Sequence, residues 1–219
     1  MLHYLENLFH ALDLGSMRDA AARIAAVLLC LTVHETCHGL AACALGDPTA
    51  KSRRRLSLNP LRHIDWFGLL MMFAVGFGWA KPVPVDPRYF KDPKRGMALT
   101  ALAGPASNFL LAVLAIAICK LFYLCGYYHA AGEAVFMFCL YTLAPLSVGL
   151  GLFNLLPIPP LDGAKVLGAA LPDEAYFRVM RYERYGMLAL ILLSFTGVGS
   201  TVISWGIMAV YRGLFNLFY

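Results

Sequence analysis

Charge is what this chain has least of. Only 14% of its 219 residues are Asp, Glu, Lys or Arg, against roughly 25% in a soluble globular domain, while 60% are hydrophobic. That imbalance excludes a soluble fold. The 12 prolines and 19 glycines follow no repeating period, and 14 Phe, 11 Tyr and 3 Trp are far too many for a disordered chain, so collagen-like structure and disorder are excluded as well. The six cysteines include no CxxC pair and mostly fall inside apolar stretches, which makes them small packing residues rather than a disulfide framework. Met1–Gly15 lacks both the basic start and the small-residue cleavage site of a secretory signal, so residues 1–16 read as a short interfacial segment. There is no basic stripe either. The net charge is +5, but the 18 Lys and Arg lie between apolar segments, and nucleic acid is not an expected partner.

What is present is a set of long uncharged intervals. Ile24–Gly46 is interrupted only by Glu35, and Met97–Cys119, Ala134–Leu161 and Gly186–Tyr211 carry no formal charge. Each is long enough for a helix that crosses the hydrocarbon, which takes about 20 apolar residues. The last contains Gly197-Val-Gly-Ser200, which either bends one long helix or joins two short ones. Fourteen of the 18 cations sit in three groups: Lys51, Arg53, Arg54, Arg55 and Arg62; Lys81, Arg88, Lys91, Lys94 and Arg95; Lys165, Arg178, Arg181 and Arg184. By the positive-inside rule all three groups face the cytoplasm, and Gly126–Gly132, with no Lys or Arg, faces outward. Trp66–Ala80 then lies between two cytoplasmic groups. As a helix of 15 residues it would reach only about 22 Å, so it is expected to enter and return as a re-entrant segment; a short crossing helix is the alternative.

Inside the first interval stands His34-Glu35-Thr36-Cys37-His38. Residues four apart share one helix face, so both imidazoles can bind one ion while Glu35 stands beside its remaining coordination position. A lone HExxH occurs by chance in soluble helices, but a Glu and two His at membrane depth are costly unless they serve a site. Nine residues separate His38 from Asp47, which puts the site about 13 Å below the surface, where water must reach it. Cys37 adjoins His38 and is a possible fourth ligand that would make the zinc structural. Asp162 is the acidic residue best placed to be the third ligand, after the proline-rich run Asn154–Leu161. By spacing alone it reads equally as an ordinary Asp-Gly turn at the interface. Asn108 and Asn154 are amides in lipid-like sequence, where the plain reading is a tie between helices.

At these residues the chain resembles the site-2 proteases, zinc intramembrane proteases. HETCH matches their HExxH, Asn154–Gly163 matches their NxxPxPxLDG, and Gly104-Pro-Ala-Ser-Asn108 is similar to their GPxxN. Leu58–Asp65 and Gly78–Val85 look like the small subgroup without PDZ or CBS domains. The likeness runs from about Ile24 to Arg184. It implies Zn²⁺ held by His34, His38 and Asp162, Glu35 as the base, and Asn108 and Asn154 as substrate-binding residues lining the cleft.

The expectation is therefore an all-α polytopic membrane protein, a single metalloprotease domain over 1–219. It has a three-helix catalytic core, one or two C-terminal transmembrane helices and a re-entrant segment at 66–80. Its implied activity is zinc-dependent endoproteolysis of transmembrane segments, in a prokaryotic cytoplasmic membrane, with the site opening toward the cytoplasm. The partners are a transmembrane protein or peptide substrate, which must unwind locally and can add as a strand to the segment after Trp66, and the lipid bilayer. A metal-ion transporter and a non-catalytic binding protein are the alternatives. A single converging ligand set argues against the first, and an intact Glu35 against the second.

Overall fold

The structure, a computed structural model, describes residues 17–75, 78–126, 130–196 and 198–219. The interfacial segment expected at 1–16 lies outside the described residues. Among those described there is no β-strand, only one isolated antiparallel bridge between Ile64 and Ala80.

Three long apolar helices make the core, as the charge gaps require. Helix α1 (Met17–Ala44) is followed by a short turn of helix, α2 (Thr49–Ser52), and by α3 (Trp66–Val75). Helix α4 (Pro93–Leu124) starts at Asp92, whose carboxylate accepts from the N–H groups of Lys94 and Arg95, with Pro93 at the first helical position. The third span is built from α5 (Ala130–Met137), a wide π-type turn (Phe138–Leu143) and α6 (Ala144–Asn154). Its irregularity has a local cause. Pro145 has no N–H to give and its ring crowds the carbonyl four residues back, so the turn ahead of it widens instead of breaking the span. These three spans, by length and apolar character, can each cross a bilayer.

Their packing is that of a membrane bundle, with small residues inside and large ones outside. On α4 the buried face includes Gly96, Ala98, Ala101, Gly104, Ala112 and Ala115, while Leu99, Leu102, Leu110, Leu114 and Leu121 are exposed. Small residues let backbones approach, and leucine satisfies lipid as well as it satisfies protein. The core joins Ala26 and Cys30 of α1, Ala112 and Ile116 of α4, Leu143 and Val148 of the third span, and Ile207.

After α6 the chain makes a compact proline-rich turn, with a cis bond at Pro159-Pro160. It continues as α7 (Asp162–Gly168), α8 (Asp173–Arg181), α9 (Glu183–Thr196) and α10 (Val198–Asn216). The C-terminal apolar stretch is helical on both sides of residue 197, and the choice between one bent helix and two short ones falls on that residue, outside the described residues. Helix α10 packs beside the third span: Gly206 lies near Leu152, Ile207 packs on Gly149, and Tyr211 Oη donates to the Leu140 carbonyl at 3.0 Å. Tyr219 ends over Lys120, 4.6 Å from its Nζ, at the Leu124 end of α4. Helix α9 starts at the other end, where Gly186 meets the Pro159 carbonyl.

Candidate metal centre

The site is where α1, α4 and α7 meet. His34 and His38 point from one face of α1, as the four-residue spacing predicts, and their Nε2 atoms lie 3.0 Å apart. Asp162 Oδ2 is 3.1 Å from each of them. All three residues are buried, and among the described residues they are the group of His, Cys, Asp or Glu side chains gathered closely enough to hold one ion. Cys37 is not in that group.

Asp162 gets there by the turn that precedes it. Leu161 is extended, the first turn of α7 begins at Asp162, and Gly163 lies against the backbone of Leu155 and Leu156. A side chain at 163 would collide with those carbonyls, so glycine is what lets the loop fold back far enough to aim the carboxylate at α1. Gly104 does the corresponding work on α4. Its missing Cβ leaves room for both imidazoles; a Cβ there would press on His38 Cε1 and Nε2 and come within 2.7 Å of His34 Cε1.

Each imidazole has a partner on its other nitrogen. His38 Nδ1 is 2.7 Å from the Thr100 carbonyl oxygen, and His34 Nδ1 is 3.0 Å from the Asn108 amide. Two ring nitrogens and a carboxylate oxygen converging on one point, with the far side of each ring tied, form a donor set that fits zinc: N and O ligands, three from the protein, with room for a fourth.

Glu35 stands beside this group without belonging to it. Its Oε2 accepts from the Val83 N–H at 2.9 Å. Val83 lies in an extended stretch between Lys81 and Asp86, part of the Gly78–Val85 run that the family resemblance marks without giving it a role at the site. Arg55 donates to the Lys81 carbonyl at 2.7 Å, and buried Asp47 accepts from the Asp86 N–H at 2.7 Å while also bonding the Thr49 N–H and hydroxyl. The local physical signal for its form is Pro82 and Pro84, which hold a chain extended.

These residues open onto a cavity of about 570 Å³. His34, Glu35, His38 and Asp162 share its wall with Asn154, Trp79 and Val83, and apolar side chains of α6, α9 and α10 complete it. The two amides separate here. Asn154 lines the cavity, its Nδ2 donating to the Leu150 carbonyl at 3.0 Å. Asn108 is fully buried behind His34 and is not part of the cavity wall, because its position on α4 faces the imidazole rather than the opening.

The segment after Trp66 also differs in form from the strand platform expected of it. It is a helix, α3, capped by Asp65, whose carboxylate accepts from the Phe67 and Gly68 N–H groups at 2.9 Å. A helix satisfies its own backbone and has no free edge to offer. The extended backbone at the cavity lies further on, from Gly78 to Asp86.

Fold and site together define a helical membrane metalloprotease. Comparison with known proteins agrees. The model for peptidase family M50 matches residues 120–195, which hold Asn154 and Asp162. YwhC of Bacillus subtilis is 36% identical over 178 residues, covering 81% of each chain. Rip2 of Mycolicibacterium smegmatis is 30% identical, over 79% of this chain and 66% of its own. Rip2 of Mycobacterium tuberculosis is 32% identical, over 89% of this chain and 73% of its own. All three bear zinc metalloprotease names. No solved structure matches the chain. The chain belongs to peptidase family M50, the site-2 protease family.

Proposed function

We propose that the chain is an intramembrane endopeptidase, hydrolysing a peptide bond of a membrane-spanning protein at a zinc ion held by His34, His38 and Asp162. The observation that carries this reading is the meeting of those three side chains, buried within a bundle of apolar helices, on the wall of a cavity that Glu35 also faces.

Zinc bound there supplies Lewis-acid chemistry, lowering the pKa of water toward about 7 and polarising a carbonyl. Glu35 takes the proton of the attacking water and returns it to the leaving amine. The Val83 N–H holds one carboxylate oxygen of Glu35 in place, leaving the other free for that proton. The largely apolar cavity limits bulk water, which strengthens each polar interaction inside it. Asn154 is the amide placed to bond substrate backbone in the cavity. A transmembrane helix shields its own carbonyls, so the substrate unwinds before it reaches Glu35. Extended backbone for it to lie against is supplied by Gly78–Asp86, in place of α3.

The pairing of Ile64 with Ala80, reinforced by the Lys81 N–H bonded to the His63 carbonyl at 2.8 Å, brings the chain back to where it left. That supports a re-entrant course for 66–80. With it, the basic groups around 51–62, 81–95 and 165–184 gather at one end of the bundle, so the site opens toward the cytoplasm.

The test separates metal from chemistry. Glu35→Gln should keep near-stoichiometric zinc while losing cleavage of a model transmembrane peptide by orders of magnitude, and His34→Ala or Asp162→Ala should lose zinc as well. Normal proteolysis by Glu35→Gln would remove the mechanism; full zinc content in Asp162→Ala would remove Asp162 from the ligands.

A further inference from the structure

The two histidines meet α4 along a single row. Thr100, Gly104 and Asn108 are four residues apart, as His34 and His38 are, so the row on α4 matches the row on α1. Gly104 leaves space for the rings, and the residues on either side of it reach the two Nδ1 atoms.

At His38 the outcome is settled by chemistry. A backbone carbonyl only accepts, so the ring proton sits on Nδ1, pointing at Thr100 O, and the Nε2 lone pair faces Asp162. His34 needs the same tautomer for its Nε2, 3.1 Å from Asp162 Oδ2, to serve a metal. An amide nitrogen cannot provide it, because an Nδ1 that accepts an N–H leaves the ring proton of neutral His34 on Nε2. Asn108 is 0% exposed, with its Nδ2 toward His34 and its Oδ1 buried without a partner. The two ends of a carboxamide exchange by a half-turn and have nearly the same shape. With the oxygen turned toward His34, Nδ1–H donates to Oδ1, the orphaned acceptor gains a donor, and Nε2 is free. The Asn108 backbone is itself held, its carbonyl accepting from Ser147 Oγ of α6 at 2.8 Å.

We propose that Asn108 is a positioning residue of the metal centre: its carboxamide oxygen accepts the Nδ1–H of His34 and fixes the tautomer that presents Nε2 to zinc. This rests on the zinc reading above, and it places Asn108 behind the ligand rather than against substrate. Outer partners of this kind orient a histidine ligand and raise its basicity, and their loss typically weakens metal binding by about 10–100-fold.

The test measures the zinc dissociation constant of the purified full-length protein by competition with a chromophoric chelator, along with melting of the metal-free protein. Asn108→Leu keeps the size and removes the acceptor; Asn108→Asp restores an acceptor. The expected result is zinc affinity weakened by about 10–100-fold in Asn108→Leu and within a few-fold of wild type in Asn108→Asp, so that affinity follows the acceptor and not the side-chain volume. Wild-type affinity in Asn108→Leu, or equal weakening in both variants, overturns the proposal. Should Asn108→Leu not fold, Asn108→Ala repeats the comparison with a smaller side chain that also lacks the acceptor: zinc affinity weakened by about 10–100-fold is expected, and wild-type affinity overturns the proposal. His34→Ala, measured alongside, separates the two levels. If it retains zinc the centre itself is wrongly placed; if it loses zinc while Asn108→Leu binds like wild type, only the role of Asn108 falls.

Discussion

A single hydrogen atom decides what residue 104 can be. Helix propensity favours alanine over glycine by about 1 kcal/mol, so Gly104→Ala would stabilise α4 if there were room. There is none, since the added Cβ meets both imidazoles, and ring carbons and nitrogens tied at Nδ1 cannot swing aside. Overpacking of this kind costs about 1–3 kcal/mol and here also pushes the rings off the point they share with Asp162. Gly104→Ala should therefore melt lower than wild type and bind zinc at least about ten-fold more weakly, by analogy with losses of outer-shell support. Calorimetry and chelator competition read the two effects, and unchanged zinc affinity would show that the rings have more freedom than the packing indicates. The two asparagines illustrate the limit of reading residues singly. Both are amides in apolar sequence, yet one faces the cavity and the other the back of a ligand, because which side of a helix looks at a neighbour is set by the neighbour.

At the scale of elements, the extended stretch Lys81–Asp86 depends on groups far from it in sequence. Glu35 holds its middle, Arg55 its start and Asp47 its end. Asp47 is fully buried and accepts from three donors, so Asp47→Ala leaves the Asp86 and Thr49 N–H groups without their acceptor. Each such orphan costs about 1–3 kcal/mol if it stays buried. The expected outcome is a lower melting temperature and a fall in turnover larger than any fall in zinc content, because Asp47 touches the extended stretch and not the ligands. Asp47→Asn, which keeps one acceptor oxygen, should recover part of both. Equal loss of zinc and turnover in Asp47→Ala would mean that it supports α1 as a whole. Helix α3 shows why periodicity alone does not settle form at this scale: an uninterrupted apolar run reads the same as helix or hairpin, and the Asp65 cap selects the helix.

For the whole molecule, the course of the chain is the testable quantity. If 66–80 returns to the side it entered from, single cysteines at Ser57 and Asp92, in a background without the six native cysteines, are labelled from one side of the membrane only. Because Tyr219 sits over Lys120 near the end of α4, a cysteine replacing Tyr219 should be labelled from the opposite side. Labelling of positions 57 and 92 from opposite sides would make α3 a crossing helix; labelling of 57 and 219 from the same side would displace α10.

The sequence by itself determined the properties that are local along the chain. Apolar runs without charge require a membrane and, there, helices, since each backbone group must be satisfied within its own segment. Four-residue spacing puts His34 and His38 on one face whatever surrounds them. Family motifs marked Asp162, but spacing left it as readable as a turn. Only the tertiary structure brought it within 3.1 Å of His34, a residue 128 positions away. The same holds for Asn108 behind His34 and for Val83 on Glu35. Each is a contact between segments distant in sequence, fixed by how closely small residues let α1, α4, α6 and α7 approach, and no local pattern records that distance.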